Sequence, residues 1–392
     1  MTSTDRFLLV APQSPFSEAS GAQQRTRLFY DALCAHGPTD VLVVSRDEDS
    51  PDAERDNQHG NIVYVRSSRK AAGWRTYRPD AELTARAVAL LPVPLESYGL
   101  IVGRYLWSLC QLDLPKSVRS IVDLDDFSYR FSRHALASAG LWRTLLQRRV
   151  QESLARRQLV RFDGFVFVSQ RDHASVPSSV SVVCPNIVQS FALTTSARTV
   201  AARHSLLFVG SMWYGPNRDG IRWFLDKVWP IVRAGLPDAR LTIVGAAHPD
   251  RRAEWARSDG VSAPGFVDDL AATYASASAV IVPVQYGGGT NIKLLEALVH
   301  GKPCVSSAFA QAPFQPWLQH GKHLLVADSA QEFAVRCIEV LKAAELGSSL
   351  AQEGRRQVLD VFCAARFQAE FDRLLLRLQV TGCDRSRGEI AA

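Results

Sequence analysis

The chain has 392 residues, 45 of them Lys or Arg against 39 Asp or Glu, for a net charge of +6. Hydrophobic residues make up 47% and charged residues 21%, proportions that exclude wholesale disorder and leave room for about two or three domains. The mild basic excess, with acids interspersed, fits an anionic small ligand or a membrane surface better than a protein that coats DNA, and no nucleic-acid module accompanies it.

The N-terminal MTSTDRFLLVAP lacks the regions of a signal peptide, and no run approaches the ~18 uninterrupted apolar residues of a spanning helix. The reading therefore places the chain in the cytoplasm. Apolar, β-branched runs at 7–10, 41–45, 62–65, 100–102, 120–124, 164–168 and 181–183 predict strands buried on both faces. Segments 23–36 and 141–158 predict crossover helices between them. The Ser/Thr/Ala-rich stretch 188–203 reads as a linker. A second series follows, with strands at 206–209, 241–244, 261–263, 279–282, 304–306 and 324–326. Its helices are expected at 221–233, 270–276, 292–300, 330–344 and 364–378. Two strand–helix series predict two doubly wound α/β domains, whose ligands bind at the carboxyl ends of parallel strands, here in a cleft between facing sheets. Seven cysteines without CxxC spacing or His clustering argue against a disulfide framework and a structural zinc site.

The segment with most chemistry is QYGGGTNIKLLEALVHGKPCV, residues 285–305. A strand runs into Gly287, Gly288 and Gly289, then into a helix with Thr290 or Asn291 at its N-cap and Ile292 opening its first turn. Glycines remove Cβ obstruction, and the helix start offers unpaired N–H groups and positive potential, a combination that binds phosphate. Lys293 sits in that first turn, where an ammonium opposes the dipole unless an anion joins it. Glu296, about one turn on, is placed to reach ribose hydroxyls beyond the phosphates. The alternative is an ordinary strand-to-helix turn with a surface lysine. No GK[ST] follows the glycines, so this is not a Walker loop.

GGGTNIKLLEAL (287–298) followed by GKPCV (301–305) resembles the donor-binding motif of family 4 glycosyltransferases of the GT-B fold, in its glycine-rich GGGTxIKxLEA form. FVGSMWYGPN (208–217), LTIVG (241–245), GFVDDL (265–270) and CPN (184–186) agree with it in order and spacing. The resemblance implies two facing Rossmann-like domains and transfer of a sugar from a nucleotide-sugar donor to an acceptor hydroxyl. It further implies retention of anomeric configuration, no metal or other cofactor, and a place in bacterial surface or exopolysaccharide assembly. It assigns 1–187 to the acceptor-side domain, 204–363 to the donor domain, 364–380 to a helix crossing back and 381–392 to a tail. By position, Gly265 and Val267, flanking Phe266, contact the base, Gly287 to Lys293 hold the diphosphate, Glu296 binds the ribose and Gly210 ends the first strand of the donor domain. Two departures stand out. Gly288 occupies the place of a common first glutamate, and Asn291 that of the subgroup's usual Arg. The basic pair expected after the first donor-domain strand is absent, and Arg218 is the substitute.

Without a metal, the charge on a departing diphosphate must be met by helix N–H groups and fixed cations such as Lys293 and Arg218. In the first half, SGAQQR (20–25) opens a helix after the first strand. Gly21 amides are expected near the donor, with Arg25 meeting either an anion or an acid such as Glu18; the alternative is a plain turn. Asp123-Leu-Asp-Asp126 follows a strand: Asp125 reads as a contact to the donor sugar or acceptor hydroxyl, Asp126 as a cap, with a Mg²⁺ site the weaker option. The basic stretches 66–78 and 141–157 read as solvated faces or as a peripheral contact with an anionic membrane presenting a lipid-linked acceptor. A nucleotide-sugar 2-epimerase and a non-catalytic sugar-nucleotide-binding protein are the competing functions.

Overall fold

The computed structural model describes residues 6–16, 21–46, 61–68, 74–125, 130–131, 141–176, 180–188 and 203–380. Ser20, Asp126, the inner part of the 66–78 stretch, the linker from 189 to 202 and the tail 381–392 lie outside them. The chain forms two compact units, one of Met1–Tyr129, Trp142–Pro185 and Ala364–Ala392, the other of Arg130–Leu141 and Asn186–Cys363.

The first unit holds strands β1 (Phe7–Ala11), β2 (Thr39–Ser45), β3 (Ile62–Arg66), β4 (Leu100–Arg104), β5 (Arg119–Asp123), β7 (Gly164–Phe167) and β8 (Ser181–Val183). They make one sheet in the order β3-β2-β1-β4-β5-β7-β8, with every pairing parallel. Strand β1 is buried along its whole length, as an apolar strand between two others must be. The C-terminal helix Ala364–Arg377 packs here: Phe367 and Phe371 meet Phe29 edge-on at 5.1 and 5.5 Å, and Asp372 bonds His36 at 2.8 Å.

The second unit contains β9 (Ser205–Val209), β10 (Arg240–Val244), β11 (Val261–Gly265), β12 (Ala279–Val282), β14 (Cys304–Ser306) and β15 (Leu325–Val326), in the order β11-β10-β9-β12-β14-β15. Alternation along β9 shows both faces covered. Leu206 and Phe208 join one apolar cluster with Phe224, Trp229 and Phe333, while Leu207 joins the other with Leu294, Leu298 and Phe314. In both sheets the chain reverses direction of growth beside the first strand, between β1 and β4 and between β9 and β12. Those are the topological switch points where ligands of such sheets bind.

Three differences from the sequence reading stand out. The helix expected at 221–233 is broken into Gly215–Trp223, a π turn Phe224–Val228 and Trp229–Gly235. Pro230 has no N–H to bond back, and the wider turn absorbs its ring. The 18-residue helix Ala344–Val361 is not legible in the apolar pattern because half of its buried stripe is Gly347, Ala351 and Gly354, alongside Leu350, Val358 and Val361. A Cβ at Gly354 would lie 2.7 Å from both His323 O and Leu298 Cδ2, so only glycine lets that helix approach Ile292–Val299. Finally, Tyr286–Gly287 (β13) leaves the glycine turn to pair antiparallel with Arg130–Phe131 (β6).

Candidate active site

At the β9/β12 switch point the chain after β9 passes Gly210, and the chain after β12 passes the three glycines into the helix Ile292–Val299. Gly287 and Gly289 hold φ of 137° and 63°, conformations that side chains resist. A Cβ on Gly287 would lie 2.6 Å from Tyr214 Oη, and Gly288 N donates to that hydroxyl at 3.4 Å. The glycine turn is thus pressed against the start of the helix Gly215–Trp223. Tyr286 donates to Asp219 on the same helix.

Asn291 stands at the N-cap of Ile292–Val299 but makes no side-chain cap bond. The helices Leu270–Ser276, Ala308–Gln311 and Ala330–Lys342 are closed by Asp269, Ser307 and Ser329. The Asn291 amide is turned elsewhere, its Oδ1 accepting from Lys293 Nζ at 3.3 Å. Thr290 Oγ1 accepts from Asn186 Nδ2 at 2.7 Å, anchoring the turn.

Lys293 lies over Gly210: a Cβ there would sit 3.2 Å from Lys293 Cε and 2.8 Å from Asn217 Nδ2. Asn217 is itself fixed by donating to Ser211 O at 2.8 Å. Desolvation pulls the Lys293 ammonium down to about 8, with Glu296 pulling the other way. Burial raises the Glu296 carboxyl, opposed by Lys293 and by the Tyr274 hydroxyl, which donates to Oε2 at 3.3 Å. A desolvated cation, an uncapped helix start and a close backbone surface converge here. The arrangement suits a polyanion such as a diphosphate, which restores the charge partner that Lys293 has given up in leaving water.

At the end of β11, Gly265 holds φ of 94°, and a Cβ would lie 2.8 Å from Arg252 Cζ. Its carbonyl accepts from Gly245 N at 2.8 Å. Phe266 beside it is 76% exposed, while Val267 packs against the second apolar cluster. Trp213 and Tyr214 are exposed rather than core residues.

Arg218 is not drawn to Lys293. It pairs with its neighbour Asp219 at 3.3 Å on a half-exposed helix face. Arg25 is a correction. It is fully buried, its Nε and Nη2 donating to Asp123 at 2.9 and 2.6 Å and its Nη1 to Cys184 O at 2.9 Å, with Phe29 and Phe367 against its plane. The acid it meets is Asp123, and its fork is already filled, so it offers nothing to a donor. Arg104, the last residue of β4, also pairs with Asp123 and reaches Asp125 at 3.4 Å. Asp125 keeps a sliver of exposed surface at the end of β5. Gly21 opens the helix Gly21–Cys34. His300, at the C-cap of Ile292–Val299, stacks on Tyr274 at 4.4 Å. Burial, aided by Lys302 and Arg355, pushes it down to about 4, so it is neutral. Among the described residues no group of three His, Cys, Asp or Glu is placed to hold a metal ion.

Asn217, Tyr274, Tyr286 and Asn186 support the site without having been singled out in the sequence. Asn217 lay inside a motif already quoted, whereas Tyr274 sits in an unremarkable helix, and only the fold brings it to Glu296.

Residues 203–343 match the family described as Glycosyl transferases group 1. A Klebsiella pneumoniae protein described as an uncharacterized 44.6 kDa protein in the cps region is 28% identical over 196 residues, 46% of this chain and 48% of that protein, so the match spans about half of its length. Among solved structures, sucrose-phosphate synthase from Thermosynechococcus elongatus aligns with a TM-score of 0.67 and 20% identity over 96% of this chain and 99% of its own. Anabaena HepE, solved with UDP and glucose, aligns at 0.64 and 15% over 95% and 99%. At these identities the likeness establishes the fold, two Rossmann-like domains with parallel sheets.

Proposed function

We propose, from a chain whose residues 203–343 match the group 1 glycosyl transferases and whose two domains have the GT-B fold, that this protein moves a sugar from a nucleotide-sugar donor to an acceptor hydroxyl, with retention, in polysaccharide assembly. One observation carries the reading: the ammonium of Lys293 sits desolvated over Gly210 at the start of a helix whose N-cap makes no side-chain bond. The diphosphate binds on Gly287, Gly288, Gly289, Thr290, Asn291 and the amide of Ile292, the ribose on Glu296, and the base beside Gly265, Phe266 and Val267. As the anomeric C–O bond breaks, negative charge grows on the diphosphate, and Lys293 and the helix N–H groups stabilise it in place, with no divalent ion in the role. Arg218 supplies a second positive charge once it leaves Asp219. Gly21 is a further contact to the donor, and Asp125 takes the acceptor hydroxyl or the transferred sugar. The cps-region relative and the UDP-bound neighbour support a saccharide acceptor and a UDP donor.

The test is incubation with UDP-, GDP- and dTDP-sugars, with detection of free nucleotide and NMR assignment of the product anomer. Release of nucleotide, insensitive to EDTA, supports transfer. Epimer formation alone, or binding without turnover, replaces it with one of the two competing functions. Among the described residues no helix is long and apolar enough to cross a membrane. A peripheral contact with anionic lipid through the helix Leu141–Arg156, where Leu146, Arg149 and Val150 are exposed, belongs to the same proposal. Co-sedimentation with anionic vesicles, and none with neutral ones, is the expected result.

A further inference from the structure

We propose that the carboxyl ends of β1, β2 and β4 in the first domain form an oxyanion subsite in which Arg46, backed by Trp107, grips the carboxylate or phosphate of a negatively charged acceptor saccharide. The inference rests on the transferase reading and names the class of its acceptor.

Arg46 directly follows β2, and Trp107 lies in the short helix Leu106–Cys110 that follows β4. The guanidinium carbon is 3.6 Å from the centre of the indole ring. Because β1 runs between β2 and β4, the two side chains meet across the carboxyl end of β1, beside the switch point of this sheet. Gln13, just past β1, carries a buried Oε1 without a hydrogen-bond partner. Tyr105 links β4 to the Trp107 helix with φ of 60°, a left-handed conformation that a non-glycine residue keeps only where its surroundings impose it.

The stacking fixes the guanidinium plane and leaves its hydrogen-bonding edge unfilled. Nε and Nη2 of Arg46 are shielded from water, and neither has a partner among the described residues. Those two nitrogens form the edge that Arg25 lays against the two oxygens of Asp123. Burial pulls the Arg46 pKa down, and among the described residues the group whose charge opposes this is Tyr77. A guanidinium that has lost water without gaining an acceptor is unfavourable on its own. A planar oxyanion supplies both missing acceptors at once, in the geometry the fork requires. It enters as the guanidinium turns on the indole face, and the indole offers an apolar wall to the attached sugar ring.

The experiment is calorimetric titration of the full chain with glucose, glucuronate and glucose 6-phosphate. It is run on the wild type saturated with UDP and on Lys293→Ala without nucleotide, so that the second domain's phosphate site does not contribute. At least one of the two anionic ligands is expected to bind about 10- to 100-fold tighter than glucose. Arg46→Gln erases that preference, and Arg46→Lys, which keeps charge but not the fork, recovers only part of it. Melting temperatures check that the variants fold. Which anion binds identifies the oxyanion. Equal binding of charged and neutral sugars, or an undiminished preference in Arg46→Gln, overturns the subsite. UDP binding by the wild type is read separately: its absence strikes the transferase reading, whereas UDP binding without anion preference strikes only this inference.

Discussion

At the switch point of the first sheet, Arg25 and Arg104 close on Asp123, all three fully buried, with the partly exposed Asp125 beside them. At the same point of the second sheet, Lys293 has a carboxamide oxygen at 3.3 Å and no carboxylate in ion-pair distance among the described residues. The topology is shared, and both positions gather cations at strand carboxyl ends. The first domain has neutralised Arg25 and Arg104 with its own aspartates; the second has left a desolvated ammonium beside backbone N–H groups. The difference teaches how to separate a structural charge from a working one on a common fold: the working cation lacks a permanent partner, while the structural one has its donors filled.

The sharpest way to break this contrast is Asp123→Asn. Two buried guanidiniums would lose their common counter-charge, a change that costs about 3–5 kcal/mol in buried pairs. Since a domain is stable by only about 5–15 kcal/mol, a large share of the first domain's stability goes with it. Urea unfolding of the purified variant is expected to show a large drop in midpoint. An unchanged midpoint would mean that the cluster is not the structural element described above.

The matching change in the second domain has the opposite signature. Lys293→Ala is expected to lower turnover by about 10²-fold or more, because a preorganised charge on the leaving group is lost. Its melting temperature should stay the same or rise, since a desolvated cation has been removed. Wild-type turnover in a folded variant would take Lys293 out of its role.

A milder probe is pH. With Lys293 drawn down to about 8 by burial, kcat/KM of the free enzyme is expected to fall about tenfold per pH unit above that value. Bound donor adds negative charge and holds the proton on, so kcat should fall only at higher pH. Stability runs the other way. Between about pH 8 and the ordinary lysine value of 10.5 the unfolded chain binds more protons than the folded one, so stability rises with pH across that window. Lys293→Met should abolish both trends.

The strand skeleton was legible in the sequence because buried parallel strands write themselves as apolar runs; all thirteen runs lie on strands of the two large sheets. The glycine turn and Lys293 were legible because glycine clusters and a cation in a helix's first turn are locally anomalous. What escaped were features set by distant residues. Arg25 reads identically whether it faces a ligand or Asp123, 98 positions away. The helix Ala344–Val361 hides its packing face in glycine and alanine, which score as neither apolar nor periodic. Arg218, read as the substitute for a basic pair, is held by its own neighbour Asp219, a pairing that depends on side-chain rotamers and not on pattern.

The smallest expected effect tests whether the second site's remaining carboxylate is a ligand or another structural charge. Tyr274 is fully buried, and its hydroxyl donates to Glu296 at 3.3 Å. Tyr274→Phe keeps the ring that stacks on His300 and deletes only the donor, so the fold should survive. Glu296 would then titrate higher still, since the hydroxyl is one of the two influences holding its pKa down. If Glu296 binds the ribose equally in the ground and transition states, KM for the donor rises by about tenfold, the lower end for one hydrogen bond to a charged group, and kcat is unchanged. A loss in kcat with constant KM would assign Glu296 to the reacting centre instead. A loss in stability with neither kinetic change would make it the counterpart of Asp123, and the contrast between the two domains would narrow to Lys293 alone.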